Sequence, residues 1–136
     1  MERMEKQIVM EKEFVPYELA VKLKELGFDE ECFGYYTELE DFVMRPHLRQ
    51  QDCIEGKFSA PTWHSAFRWF REKYGLFVAP SVISYENDPY LWFFEINSTV
   101  LPFGTDLGET SDYKTYEEAE LACLKKLISI VKEKQL

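Results

Sequence analysis

Apolar positions recur at helical spacing in three segments of this chain, and polar stretches bearing proline and glycine separate them from shorter apolar runs. The first helical segment covers about residues 16–26. Leu19, Ala20, Leu23 and Leu26 form one stripe, while Glu18, Lys22, Lys24 and Glu25 form the opposite face. Pro16 suits the first turn, where its missing N–H costs nothing, and Gly27 followed by Phe28 is a left-handed glycine stop. The second helix is predicted over 61–74, with Trp63, Phe67, Phe70 and Tyr74 along one stripe beside Ala66, and Gly75 as its stop. The third runs from about 115 to 134. Thr115 is placed to cap it, with Glu118 three residues on, and Ala119, Cys123, Leu127, Ile130 and Val131 make its inward face.

Between the helices the period changes. Cys32-Phe33-Gly34-Tyr35-Tyr36 predicts a strand, with a continuation through Leu39 to Val43 left open. Two further strands are predicted at about 77–85 and 90–97, joined by the turn sequence Glu86-Asn87-Asp88-Pro89. Pro80 places the first of these at a sheet edge or at a bulge. Residues 44–59 and 98–114 lack a clean period and are predicted as loops. The order α-β-α-β-β-α predicts an α+β fold. It is expected as a single domain over residues 13–136, with a small, mostly antiparallel sheet packed against helices and residues 1–12 as an N-terminal extension.

Composition adds weight to the interior. The chain has 136 residues, enough to bury a core without a metal, and 16% of them are aromatic, so rings should fill it. The net charge of −9, from 16 basic and 25 acidic residues, opposes binding to phosphate backbones and anionic membranes unless basic groups cluster locally. Strand aromatics such as Tyr35, Tyr36, Trp92 and Phe93 could stack bases, but core packing explains them more simply and the charge opposes that use. Cys32, Cys53 and Cys123 are widely spaced and form no zinc or redox motif. Without a signal, lipidation motif or apolar spanning run, the expectation is a cytoplasmic protein with reduced thiols.

Candidate chemistry is sparse. Only His47 and His64 are available as imidazole ligands, with no metal-binding spacing, so neither a metal nor a cofactor is expected. No nucleophile, base and orienting group share a motif, so no catalytic residue is assigned. The second helix remains. His64, Arg68 and Arg71 share the face opposite its aromatic stripe, close enough to hold a carboxylate or phosphate, and Trp69, lying off the stripe, is expected to be partly exposed. His64, Arg68, Trp69 and Arg71 are therefore the candidate binding residues. Against this stands the plainer reading, in which the basic residues solvate the helix and pair with nearby acids.

The segments from Glu13 to Ala20, Leu26 to Tyr36, Ala66 to Tyr74 and Thr115 to Leu127 together resemble an uncharacterised family of small proteins encoded by gut Bacteroidetes and their phages or prophages. The runs AFRWFREKY and TYEEAELACLKKL carry most of that resemblance. It implies a setting, an accessory protein of a phage or mobile element, and brings no functional residue with it. The function expected is non-enzymatic, acting through protein–protein interaction or self-association. The alternative is a domain that binds a small molecule or anion through the basic face of the second helix, with His64, Arg68 and Arg71 plus the loop residues 44–59 as the pocket.

Overall fold

A computed structural model of the chain describes residues 11–53, 56–84, 86, 90–102, 105, 107 and 110–136. The fold is α+β. Its described elements are α1 (Tyr17–Glu25), β1 (Cys32–Tyr36), β2 (Phe42–Leu48), a 3-10 turn (Gln50–Asp52), β3 (Phe58–Ser59), α2 (Trp63–Tyr74), β4 (Leu76–Ile83), β5 (Leu91–Ser98), β6 (Thr110–Tyr113) and α3 (Tyr116–Lys134). The strands form two antiparallel sheets, ordered β2-β1-β3 and β4-β5-β6. The chain divides into two compact units, Met1–Trp69 and Phe70–Leu136.

In the first unit, α1 ends as its sequence dictates. Gly27 takes φ 93, and the Gly27 and Phe28 N–H groups donate to the Lys24 and Leu23 carbonyls at 3.0 and 2.9 Å, closing the helix with two of its orphan acceptors satisfied. Leu19, Ala20 and Leu23 are buried. Phe14, Tyr36 and Phe42 make a ring cluster with Ala20 and Ala60, and Tyr17 packs on its rim. The Tyr36 hydroxyl donates to the Val15 carbonyl at 2.7 Å, which fixes the segment before α1 against the sheet. Gly34 is required here by close approach. A Cβ on it would fall 2.7 Å from the Phe42 ring and 2.9 Å from the Val43 carbonyl oxygen.

The second unit packs α3 on β5 and β6. Thr115 caps α3 by accepting the Glu118 N–H at 3.1 Å. Ala119, Cys123, Leu127, Ile130 and Val131 are buried as the sequence implies, and Leu124 and Ile128 are buried with them. Tyr116 meets Trp92 edge-on at 5.4 Å and Phe94 at 5.5 Å. Gly75, at φ 67, terminates α2, and the Thr99 N–H returns to its carbonyl at 2.8 Å.

Several elements differ from the sequence expectation. The strands form two three-stranded sheets where one small sheet was expected. Residues 44–48 are strand, not loop, because β2 pairs with β1 on both sides of an irregularity: Gly34 faces Met44 and Cys32 faces Leu48, so Arg45, Pro46 and His47 bulge opposite Phe33. His47 takes φ 57 within that bulge and pairs with Glu31. The polar segment Thr110–Tyr113 is also a strand, held by its partners Trp92 and Phe94 on β5 and not by any alternation of its own. Pro46 and Pro80 both lie in outer strands, where a missing N–H interrupts no interior ladder. The turn residues 87–89 and most of the N-terminal extension lie outside the described residues.

Candidate functional site

The start of α2 is built by short-range capping and by the strand-like segment before α1. Thr62 accepts the Ser65 N–H at 3.1 Å and donates its hydroxyl to Ser65 Oγ at 3.0 Å. The Val15 N–H donates to the Pro61 carbonyl at 2.8 Å, and the Trp63 indole N–H reaches the Lys12 carbonyl at 3.1 Å. Ser65 is thus engaged in the cap, and its neighbour His64 points elsewhere on the helix.

Around the helix the buried arc centres on Ala66, flanked by Trp69 and Phe70, all three buried. Trp63, Phe67 and Tyr74 lie on the Phe70 flank and are half-buried. The expected exposure of Trp69 is therefore corrected. Its side chain is 5% exposed and stands edge-on to Phe28 at 5.3 Å, because the inward direction is set by Ala66 and not by the stripe of largest rings. Trp69 belongs to the core of the first unit and offers no binding surface.

His64, Arg68 and Arg71 occupy the far side of α2, all exposed. Among the described residues none of the three has a hydrogen-bond, ion-pair or ring partner. The expected internal pairing with nearby acids is thus absent among those residues. The three side chains span two turns, about 10 Å along the axis at 1.5 Å per residue. The arrangement offers a row of donors and positive charge and no base, nucleophile or electrophile.

A second feature lies within the first unit, in the stretch that the sequence predicts as a long loop. Lys24, Gly27, Phe28, Asp29, Gln50, Gln51 and Cys53 line an open cleft of about 380 Å³. The Gln50 side chain braces its wall, donating to the Lys57 carbonyl at 3.1 Å and accepting the Ser59 N–H at 2.8 Å. Arg49 Nη1 donates to the Asp29 carbonyl at 3.2 Å, and the Gln51 N–H donates to Asp29 Oδ1 at 3.3 Å. Lys24 stands over the Phe58 ring at 4.7 Å, and Lys57 over the Tyr35 ring at 5.1 Å.

The thiols test for nucleophilic chemistry. Burial raises the pKa of Cys53. The Arg45, Lys24 and Lys57 cations act in the opposite direction and Asp52 adds to the rise. Burial pushes Cys32 up to about 12, partly offset by a Ser59 hydrogen bond and reinforced by Cys53, Glu30 and Asp29. Both thiols are held protonated, the reverse of an activated cysteine. All three cysteines are free. Among the described residues no three His, Cys, Asp or Glu side chains converge in a way that could hold a metal ion, and no helix is long and apolar enough to cross a membrane.

Sequence reasoning points to residues 44–59 as part of a pocket, and Gln50, Gln51 and Cys53 of that stretch do line this cleft; it misses the other wall, which comes from the end of α1 more than twenty positions earlier, and the cleft does not include His64, Arg68 or Arg71. The only signal was the length and polarity of residues 44–59. Comparison of the chain with protein-family models, curated proteins and solved structures found no match.

Proposed function

We propose that this chain is a non-enzymatic binding protein, an accessory factor of a phage or mobile element, that docks an acidic protein surface through the basic row of α2. The observation that carries this reading is the exposure of His64, Arg68 and Arg71 on one helical face, unpaired among the described residues, in a chain of net charge −9. In an acidic protein, a cationic row left unneutralised is the surface that an acidic partner meets without repulsion. The setting follows from the family resemblance of the Ala66–Tyr74 and Thr115–Leu127 segments. A cytoplasmic location fits the same reading.

The alternative, a small-anion site on the same face, is less well served, because the three residues do not line the described cleft. The experiment is crosslinking in a Bacteroidetes host, comparing the wild type with Arg68→Glu/Arg71→Glu, followed by binding measurements on the purified partner. Loss of an acidic partner in the double variant, with its circular dichroism unchanged, supports the reading. Equal capture by both proteins refutes it. A melting-temperature rise with inorganic phosphate or dicarboxylates, abolished by the same substitutions, would establish the anion site in its place.

A further inference from the structure

The cleft of the first unit is lined by charges of both signs that do not meet. Lys24, in the last turn of α1, and Asp29, just beyond that helix, both line it. Among the described residues neither takes part in an ion pair, with the other or with a third group. The Lys24 ammonium stands over the Phe58 ring and has no oxygen acceptor among those residues. Asp29 Oδ1 accepts the Gln51 N–H at 3.3 Å, while its second carboxylate oxygen has no partner among them. The side-chain amide of Gln51, also in the lining, is equally unengaged among the described residues.

An unmet cation and an unmet carboxylate in one cleft are the complement of a molecule that carries both charges itself. The surroundings sort the two. Gly27, Phe28 and Asp29 continue the C-terminal end of α1, whose partial negative charge favours a cation. Around Cys53 the cations Arg45, Lys24 and Lys57 face one acid, Asp52, whose carboxylate is turned to the Arg49 N–H at 3.3 Å. Phe28 is only 2% exposed, so the cleft offers little apolar surface and suits a small polar occupant. We propose that this cleft binds a free α-amino acid with a small or polar side chain. The carboxylate of the ligand meets Lys24, its ammonium meets Asp29 and the end of α1, and the Gln51 amide hydrogen-bonds to either group. A simple anion would meet Asp29 as well as Lys24, and a simple cation Lys24 as well as Asp29. Only a zwitterion satisfies both. The cleft is open, and its volume of about 380 Å³ is near the lower end for small-molecule sites, so binding is weak and exchange fast.

The site shares no residue with the α2 row and does not rest on the function given to that row, which supplies a control. The test is an amide-resolved NMR titration of the isotope-labelled full chain. L-Serine and L-glutamine should each give saturable shifts at the amides of Gly27, Asp29 and Gln51. Acetate and ethylammonium, added separately at matched ionic strength, should not saturate those shifts. Lys24→Met keeps the aliphatic stem on Phe58, and Asp29→Asn keeps an acceptor for the Gln51 N–H. Each should nonetheless weaken binding about tenfold or more, the cost of a lost charge-assisted hydrogen bond. Arg68→Glu/Arg71→Glu should bind like the wild type. No saturable shift with either amino acid overturns the proposal, as does a response to acetate or ethylammonium alone that equals the response to serine. Undiminished binding by either cleft variant also overturns it. Loss of binding in the α2 double variant would do the same and move the ligand to the basic row. The comparison of probes on the wild type needs no variant to fold, and unshifted spectra away from the cleft show that the variants do.

Discussion

Cys123→Ala should invert its stability ranking against the wild type between neutral and alkaline pH. The Cys123 thiol is fully buried on α3, and burial, with a smaller contribution from Glu120, pushes its pKa from 9.0 up to about 12. A raised folded-state value means that the stability linked to this thiol is whole below pH 9 and drains away as pH climbs through 9–12, because the unfolded chain releases its proton first. At pH 10.5 the unfolded thiol has gained about 2 kcal/mol from ionisation while the folded one has gained almost nothing. The substitution removes that loss. It adds a pH-independent cavity penalty of about 1 kcal/mol. The variant is therefore less stable than the wild type at pH 7.5 by about 1 kcal/mol and more stable at pH 10.5 by about the same amount. Tyr36, which burial also pushes up to about 12, contributes to alkaline unfolding equally in both proteins and cancels. Urea unfolding under reducing conditions, followed by far-ultraviolet circular dichroism at pH 7.5, 9 and 10.5, measures the difference directly. Parallel stability curves for the two proteins across that range would refute the assignment of the titration to Cys123.

Two further substitutions probe the packing. Trp69→Ala should cost about 3–5 kcal/mol in urea unfolding because it empties the site beside Phe28, whereas Arg68→Ala one position away should stay within about 0.5 kcal/mol; similar losses in the two would mean that Trp69 is not core. Gly34→Ala should cost about 1–3 kcal/mol, since its methyl group must displace the Phe42 ring or the β2 backbone, and a neutral result would show that the ring has room to move.

The elements that were legible in the sequence are those whose signal is local. The helical stripes with their caps, Gly27 after α1 and Thr115 before α3, set the ends of those helices to within a residue or so of where they lie. The β4–β5 hairpin carries its own aromatic runs. What escaped depends on partners distant in sequence. β6 is polar and becomes a strand only because Trp92 and Phe94 offer it a ladder, and β2 absorbs Pro46 by bulging against Phe33. Trp69 was misplaced for a related reason. The heaviest rings of α2 mark its flank, and only the tertiary placement of Ala66 shows which direction is inward. The basic row was fully legible, because three charges at i, i+4 and i+7 need nothing but helical geometry. The cleft was legible only through the stretch 44–59 that supplies Gln50, Gln51 and Cys53; its other wall was not, since Lys24 and Cys53 meet only after the β1–β2 hairpin has formed.

The prolines of the outer strands have a consequence for a chain so rich in rings. Cross-β fibrils grow when an exposed margin offers an unbroken series of donors and acceptors to the next strand. Pro46, with the bulge around it, breaks that series in β2, and Pro80 breaks it in β4. The remaining margins, β3 and β6, run for only two and four residues. Among the described residues neither sheet presents a long template, so the native fold can carry its aromatic interior at high concentration without seeding the ordered aggregates to which such sequences are otherwise prone.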